Sequence, residues 1–569
     1  MLPNLQRVVG ITWILGNVLQ PAQTVEPLPS PESCRCFPGD KCWPTDQSWN
    51  HLNKTVGGRL VATIPLGSPC HGLTYNEARC QGIRDAWNLP DTHIDSSASI
   101  MAFFFANQSC DPFLPRAASC VIGTYVQYAV AASSVSDYQA TIKFARAYNI
   151  RLVIRNTGHD YFGKSTGSGG LALWTHNMKS IEVLDPPASE HAGKALRVGA
   201  GVQLIEAYRA AFDSGLVVVG GTSPSVGFAG GYVQGGGHGY LASRYGLAAD
   251  QVLSWEVVTM NGTHLTVSPF QHQDLYWALS GGGGGAYAAV VSMTVKAYPD
   301  QTTAAATLAW NNTGISQDTF YAAIEAYLSS LPSLLDAGAT ATWLNTNDSF
   351  MLDPAFGFGM SKQELDSFYD PVLQQLNHLN VTYEYQSLES SSFFDIYQKT
   401  VPFSAVGLYQ IGGRLIPRSI LTESVTELTR VMREIGSYGA AISGLSFKSP
   451  DSPIVPNSIS PAFREASISL VIGTNTDRDT NIANQKLMTD VLIPQLADLI
   501  TGGGSSYLNE GDPWEPRWQD VFYGEGYGRL LAIKRLYDPE ALLYARTAVG
   551  SESWVERLDG RLCRADMVY

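Results

Sequence analysis

LVIRNTGHDYFGKS, from Leu152 to Ser165, is the stretch on which the fold turns. A short β-branched run (Leu152, Val153, Ile154) stops at Arg155, and Gly158, His159, Asp160 and Gly163 follow. A strand ending in a glycine-bearing loop presents unpaired backbone N–H groups, which form an anion-binding nest. His159 stands where such a loop approaches a phosphate-bearing ligand. The competing reading is a turn with a solvated histidine.

Upstream, YVQYAVAA (Tyr125–Ala132) reads as a strand. Ser136 and Asp137 then cap an amphipathic helix over Asp137–Tyr148. Strand, helix, strand and glycine loop make a βαβ-like unit that binds a ligand at its carboxyl end. Downstream, Leu171–Leu184 reads as further strands. ALRVGAGVQLIEAYRAAFDSG reads as a strand, a turn and a helix ending at Gly215. A second glycine concentration runs from Gly220 to Leu253, and a third, Gly281–Gly285, precedes a strand. So many glycines permit close backbone approach to a flat ligand. No GxGxxG opens a helix after a first strand and no Walker loop is present, so one large cofactor held mostly by backbone is expected.

The chain has 569 residues, a net charge of −14 and a pI near 5.2. That length allows more than one lobe, and the acidity argues against nucleic acid. Arg7 and the apolar Val8–Leu19 resemble a signal peptide with Ala22 at the cleavage point, too short to span a bilayer. No later stretch is apolar enough to cross a membrane. Seven of eight cysteines lie between Cys34 and Cys120, with Cys563 near the end. An even count in an exported chain indicates disulfides of undetermined pairing; zinc at Cys34, Cys36 and Cys42 is the rival. Six N-x-S/T sequons begin at Asn53, Asn107, Asn261, Asn311, Asn347 and Asn380. A secreted or secretory-pathway glycoprotein is expected.

RNTGHD, GGTSPSVGFAGGYVQGGGHG and LSGGGGGAYAAVVSMTV together resemble the FAD-binding domain of the vanillyl-alcohol oxidase/p-cresol methylhydroxylase superfamily. YLNEGDPWEPRWQDVFYGEGYGRLLAIKRLYDPEALLYARTAVG resembles the berberine-bridge-enzyme-like tail, and CRCFPGDKCWP resembles fungal isoamyl-alcohol-oxidase-like members. The resemblance implies an α+β fold: a two-lobed FAD-binding domain, an α+β substrate domain and a tail returning to the FAD domain. The divisions expected are 1–22 (signal peptide), 23–116 (Cys/Pro-rich extension), 117–299 (FAD-binding), 300–505 (substrate domain), 506–550 (berberine-like segment) and 551–569 (tail). Within 300–505, strands are expected at Thr307–Asn311, Thr340–Thr346 and Ser467–Thr474. Helices are expected at Gln317–Leu331, Ser361–Leu379, Ile420–Ile435 and Asn484–Ile500. Tyr409, Gln410, Arg414 and Arg464 are pocket-facing candidates.

The same resemblance gives His159 a covalent bond to the flavin, with Asn156, Thr157, Gly158, Asp160 and Gly163 at the pyrophosphate. Gly221, Thr222, Ser223, Gly227, Gly231 and Gly236 belong to the second cofactor loop. Ser223 stands where many relatives have a second, cysteinyl anchor, so a single link through His159 is expected. Gly221 matches the oxygen-gate position. Three candidates compete as catalytic base: Tyr507, His238 and Glu510. The implied activity is oxidation of a small-molecule alcohol, with O₂ reduced to H₂O₂ and no metal. Oxidative ring closure and a redox-neutral or binding role are the alternatives. Gly526 stands where relatives carry Asn.

Overall fold

The computed structural model describes residues 34–565, apart from 108, 188, 190, 402–404, 408, 450–454 and 476–478. The expected signal peptide lies outside the described residues.

The opening stretch forms the strand Leu152–Arg155, which pairs parallel with Leu171–Trp174; that strand pairs parallel with Tyr128–Ala131. The crossover is the helix Val135–Ala147, whose Tyr138, Thr141, Ile142 and Ala145 are buried. The helix starts before the expected cap. Ser134 is the N-cap, and Asp137, in the first turn, accepts from the Ser133 N–H at 2.9 Å and pairs with Arg59. A carboxylate there meets the unpaired N–H groups of a helix start.

The fourth strand of this sheet, Leu60–Ala62, comes from the Cys-rich extension and pairs antiparallel with Tyr128–Ala131. A second, five-stranded antiparallel sheet has the order Ile181–Leu184, Ala195–Gly199, Ala289–Lys296, Val252–Val258, His264–Val267. The first glycine loop joins Leu152–Arg155 to Leu171–Trp174 within the first sheet, and the other two lie between strands of the second.

The third sheet has seven strands, all antiparallel neighbours, in the order Tyr383–Ser390, Thr303–Asn311, Ser349–Phe358, Thr340–Asn345, Ala441–Ser446, Ala466–Asn475, Tyr409–Pro417. Trp343, Ile442, Leu470 and Ile472 on one face pack in a core with Phe320, Ile324, Leu328 and Met432 from the helices. Side chains alternate between faces, so their immediate neighbours along each strand point the other way.

The expected helices differ in their ends. Gln317–Asp336 runs on through Pro332. The Ile420–Ile435 expectation divides at Ser424 into Arg418–Glu423 and Val425–Ser437. Asn484–Ile500 resolves into Asn481–Leu487, a π-turn at Met488–Leu492 and Ile493–Ala497. Pro494 lacks an N–H to donate into the preceding turn, which fits the wider turn there.

Four disulfides tie the periphery: Cys34–Cys563, Cys36–Cys42, Cys70–Cys80 and Cys110–Cys120. The cysteines weighed for zinc are therefore oxidised, although Cys36, Cys42 and Asp40 lie close together. Among the described residues no helix is long and apolar enough to cross a membrane. Five sequon asparagines are exposed and Asn53 is half-buried.

Candidate active site

A cleft with a cavity volume of about 360 Å³ opens at the carboxyl end of the Leu152–Arg155 strand. Its wall includes Asn156 to Tyr161, Gly221 to Ser223, Gly227, Gly230 to Tyr232, His238, Gly284, Gly285, Tyr507, Asn509 and Glu510. Most of the residues expected at the site therefore share one cavity. Gly163 and Gly236 do not line it. At Gly163 a Cβ would sit 2.6 Å from the Phe105 ring, and at Gly236 one would sit 3.2 Å from Phe463. Both have positive φ, 70° and 117°. Turn geometry and aromatic packing, not a ligand, require glycine there.

The loop itself is built for an anion. The backbone N–H groups of Thr157 to Tyr161 donate to no acceptor among the described residues. Asp160 turns away from that nest, and its carboxylate accepts from the N–H groups of Phe162, Lys164 and Ser165 at 3.2, 2.6 and 3.0 Å. It holds the loop shut. Beneath the loop lies Arg155, only 1% exposed. Its Nη2 donates to the His93 carbonyl at 2.9 Å, while Nε and Nη1 are buried without a partner. A Cβ on Gly158 would lie 3.2 Å from this guanidinium, so Gly158, with φ of 86°, permits the stacking. Burial lowers the Arg155 pKa to about 10, opposed by the Asp160 charge, so the group stays cationic. Arg155 itself does not line the cavity; the cleft-facing donors for an anion are the free N–H groups of the loop above it.

The rest of the cavity suits the bulk of a flavin dinucleotide. A Cβ at Gly230 or Gly285 would meet nothing within 4 Å, so both glycines face open space. Gln234 donates to the Ala229 carbonyl and leaves its own Oε1 buried without a partner. Gly227 packs on Asn156, where a Cβ would fall 2.1 Å from Nδ2, and Asn156 Nδ2 donates to the Ala200 carbonyl at 2.8 Å. Gly221 is tight in another way: a Cβ would meet the Tyr232 ring at 3.0 Å, and its carbonyl accepts from Tyr208.

His159 Nε2 lies 2.8 Å from Ser225 Oγ, leaving Nδ1 free. Burial, and then the neighbouring His93, lower the His159 pKa to about 4, so its imidazole is neutral near neutral pH. No cysteine is free in the described chain to supply a second anchor.

The three candidate bases converge. His238 Nε2 and Glu510 Oε2 are 2.7 Å apart, and Ser469 Oγ donates to the same oxygen at 3.3 Å. The Tyr507 ring meets the His238 ring edge-on at 5.1 Å between centroids. A carboxylate only accepts, so Nε2 carries a proton, and in the neutral ring Nδ1 is the acceptor. That Nδ1 is buried without a protein partner. Burial, reinforced by the Glu510 carboxylate, raises the Tyr507 pKa far above the phenol range. Its hydroxyl takes a hydrogen bond from Asn509 Nδ2 at 2.7 Å and faces the Tyr232 carbonyl at 3.3 Å.

Arg414 and Arg464 do not face the cavity as free cations. Arg414 is buried against Glu515, and Arg464 forks onto Asp250. Gln410 is spent on Asn481. Sequence reasoning passed over Arg155, Ser225, Asn509 and Tyr232, although all four sit inside or beside the motifs it quoted.

A phosphate nest backed by a buried cation, continuous with a paired imidazole and carboxylate, is the layout of a flavin-dinucleotide oxidoreductase. Comparison with known proteins agrees. Residues 126–268 match the family model described as FAD binding domain, and 506–550 match the one described as Berberine and berberine like. FAD-linked oxidoreductase sor8 of Hypocrea jecorina is 50% identical over 98% of both chains. FAD-linked oxidoreductase patO of Aspergillus clavatus is 43% identical over 94% of both. The crystal structure of the VAO-type flavoprotein MtVAO615 from Myceliophthora thermophila matches with a TM-score of 0.89 at 37% identity, covering 94% of this chain and all of that one. The chain belongs to the vanillyl-alcohol-oxidase-type, berberine-like family of FAD-linked oxidoreductases.

Proposed function

We propose that this chain is a secreted FAD oxidase that converts a small-molecule alcohol, a secondary metabolite, to its aldehyde or ketone while O₂ becomes H₂O₂. The observation that carries the reading is the His238–Glu510 pair, whose free Nδ1 is a buried acceptor with no partner in the protein. When bound, FAD supplies the hydride acceptor and passes the electrons to O₂. His238 Nδ1 takes the hydroxyl proton of the substrate, and Glu510 stabilises the imidazolium that results. Tyr507, its hydroxyl held by Asn509 and the Tyr232 carbonyl, packs its ring against His238 and shields the pair from water. The Thr157–Tyr161 amides would hold the pyrophosphate, with the Arg155 charge beneath the loop. His159 would be the single covalent anchor for the flavin, with Ser225 fixing its Nε2. The four disulfides and exposed sequons support the secretory route.

An oxygen-electrode screen over alcohols, sugars, amines and polyketide alcohols tests the activity. Peroxide release and a product two hydrogens lighter are expected. One relative, 38% identical over 96% of this chain, bears the name Bifunctional decalin synthase, which favours ring closure as the second reading. A product with a new ring, rather than a new carbonyl, would select it.

A further inference from the structure

The seven-stranded sheet has a face that the helices do not cover. Leu344, Ser443, Val471 and Gly413 are successive cross-strand partners in one row; Ala441, Gly473 and Ile411 form the next. Their neighbours Trp343, Ile442, Leu470 and Ile472 are the ones buried under helices, so these two rows point the other way. Six of them line a compartment of about 200 Å³, together with Tyr161, Tyr409 and Glu510.

Two features join this compartment to the active site. Tyr161 and Glu510 also line the main cavity. The first row ends at Gly413, where a Cβ would lie 2.9 Å from the Glu510 carbonyl. The Glu510 backbone is thus seated at the end of the row, and its carboxylate accepts from Ser469, two residues from Val471 along the same strand. Across the second row, the Tyr409 ring lies against Gly473, where a Cβ would touch it at 3.0 Å. Tyr409 and Tyr161, 44% and 43% exposed, are left partly open beside it.

The chemistry of the wall is narrow. Leu344, Ile411, Ala441 and Val471 supply its surface, and Ser443 and the two phenols its hydroxyls. Among the described lining residues there is no lysine or arginine, and the one carboxylate is Glu510, the partner of His238. An anionic substrate would meet that carboxylate and no cation among them. An apolar cavity of about 150 Å³ takes one benzene ring, so 200 Å³ suits somewhat more than one ring.

We propose that this compartment holds the body of the substrate, a neutral and largely apolar alcohol of one to two rings, and that Ala441 and Val471 set its size and charge. The assignment rests on the alcohol-oxidase reading for the reaction, but binding can be read without turnover. Purified holoenzyme, its flavin first reduced with dithionite so that it can accept no hydride, would be titrated anaerobically by calorimetry with 2-naphthalenemethanol, 6-(hydroxymethyl)-2-naphthoate and 1-butanol. The neutral bicycle should bind at least about tenfold tighter than its carboxylate, a difference of about 1.4 kcal/mol. Ala441→Phe, which fills the compartment, should weaken the bicycle about tenfold more than butanol. Val471→Lys, at a half-exposed position, should narrow or reverse the neutral-over-anionic preference and covers the case in which Ala441→Phe fails to fold. Equal binding of bicycle and carboxylate by the native enzyme, or equal losses for bicycle and butanol in Ala441→Phe, would overturn the assignment. Binding in the expected order with no oxidation of any alcohol would uphold the compartment and remove the alcohol reading. Oxidation without that order would do the reverse.

Discussion

Glu510→Gln separates a working pair from a coincidental contact. Glutamine keeps the shape, and its carbonyl can still accept the His238 Nε2 proton, so the 2.7 Å geometry has no reason to change. What is lost is the negative charge facing the imidazolium that forms on proton uptake. A hydrogen bond to a charged group contributes about 1.5–3 kcal/mol. The Glu510 side chain is 24% exposed, which screens part of this and points to the lower half of the range. About 1.5–2 kcal/mol in the barrier is a loss of roughly 10- to 30-fold in rate. Anaerobic stopped-flow at saturating substrate reads that rate directly, with flavin content checked in parallel. His238→Gln, which removes the base itself, should cost about 10²- to 10⁴-fold. The double variant should be no slower than His238→Gln alone, because Glu510 acts through the imidazole. A Glu510→Gln rate within about twofold of native, or a double variant whose losses multiply, would refute the pairing.

Three further outcomes are expected. His159→Ala should release the flavin on acid precipitation; colour that stays with the pellet would place the covalent link elsewhere. Arg155→Met should lower FAD content yet raise the melting temperature of the cofactor-free protein, because a buried guanidinium with two unpartnered nitrogens is costly to desolvate. A lower melting temperature in flavin-depleted material would show that Arg155 is structural. The buried His93, bonded to Ser99 and the Trp87 carbonyl, has its pKa lowered to about 4, chiefly by burial. The unfolded chain takes up a proton below about pH 6.5 and the folded one does not. Stability therefore falls as pH drops from about 6.5 towards 4, by about 3 kcal/mol from this residue. His93→Gln should flatten that part of the denaturation profile, and an unchanged slope would exclude His93 as its source.

The glycine loops and the His159 strand end were legible because backbone approach to a large ligand demands glycine in clusters. Within those clusters the sequence could not separate glycines that face the cofactor cleft from those that face protein. Gly230 and Gly285 face open space in the cleft, whereas Gly163 and Gly236 yield to Phe105 and Phe463. Arg155 itself read as the end of a strand; only its burial without an acceptor marks it. His238 and Glu510 could each be singled out, but they are 272 residues apart and only the fold makes them one unit. In the substrate domain, Tyr383–Ser390 escaped notice as a strand because it is an edge strand, and YEYQSLES is mostly polar, with Leu388 its one aliphatic residue. The helix at Val135 began early for a local reason: Asp137 serves the Ser133 N–H from inside the first turn.

The Cys34–Cys563 bridge joins residues 529 positions apart and closes the chain between them into a covalent ring. Cutting the backbone once, anywhere between the two, opens that ring without yielding two fragments. Until the bridge is reduced, a nicked molecule keeps its full mass and both halves of its active site.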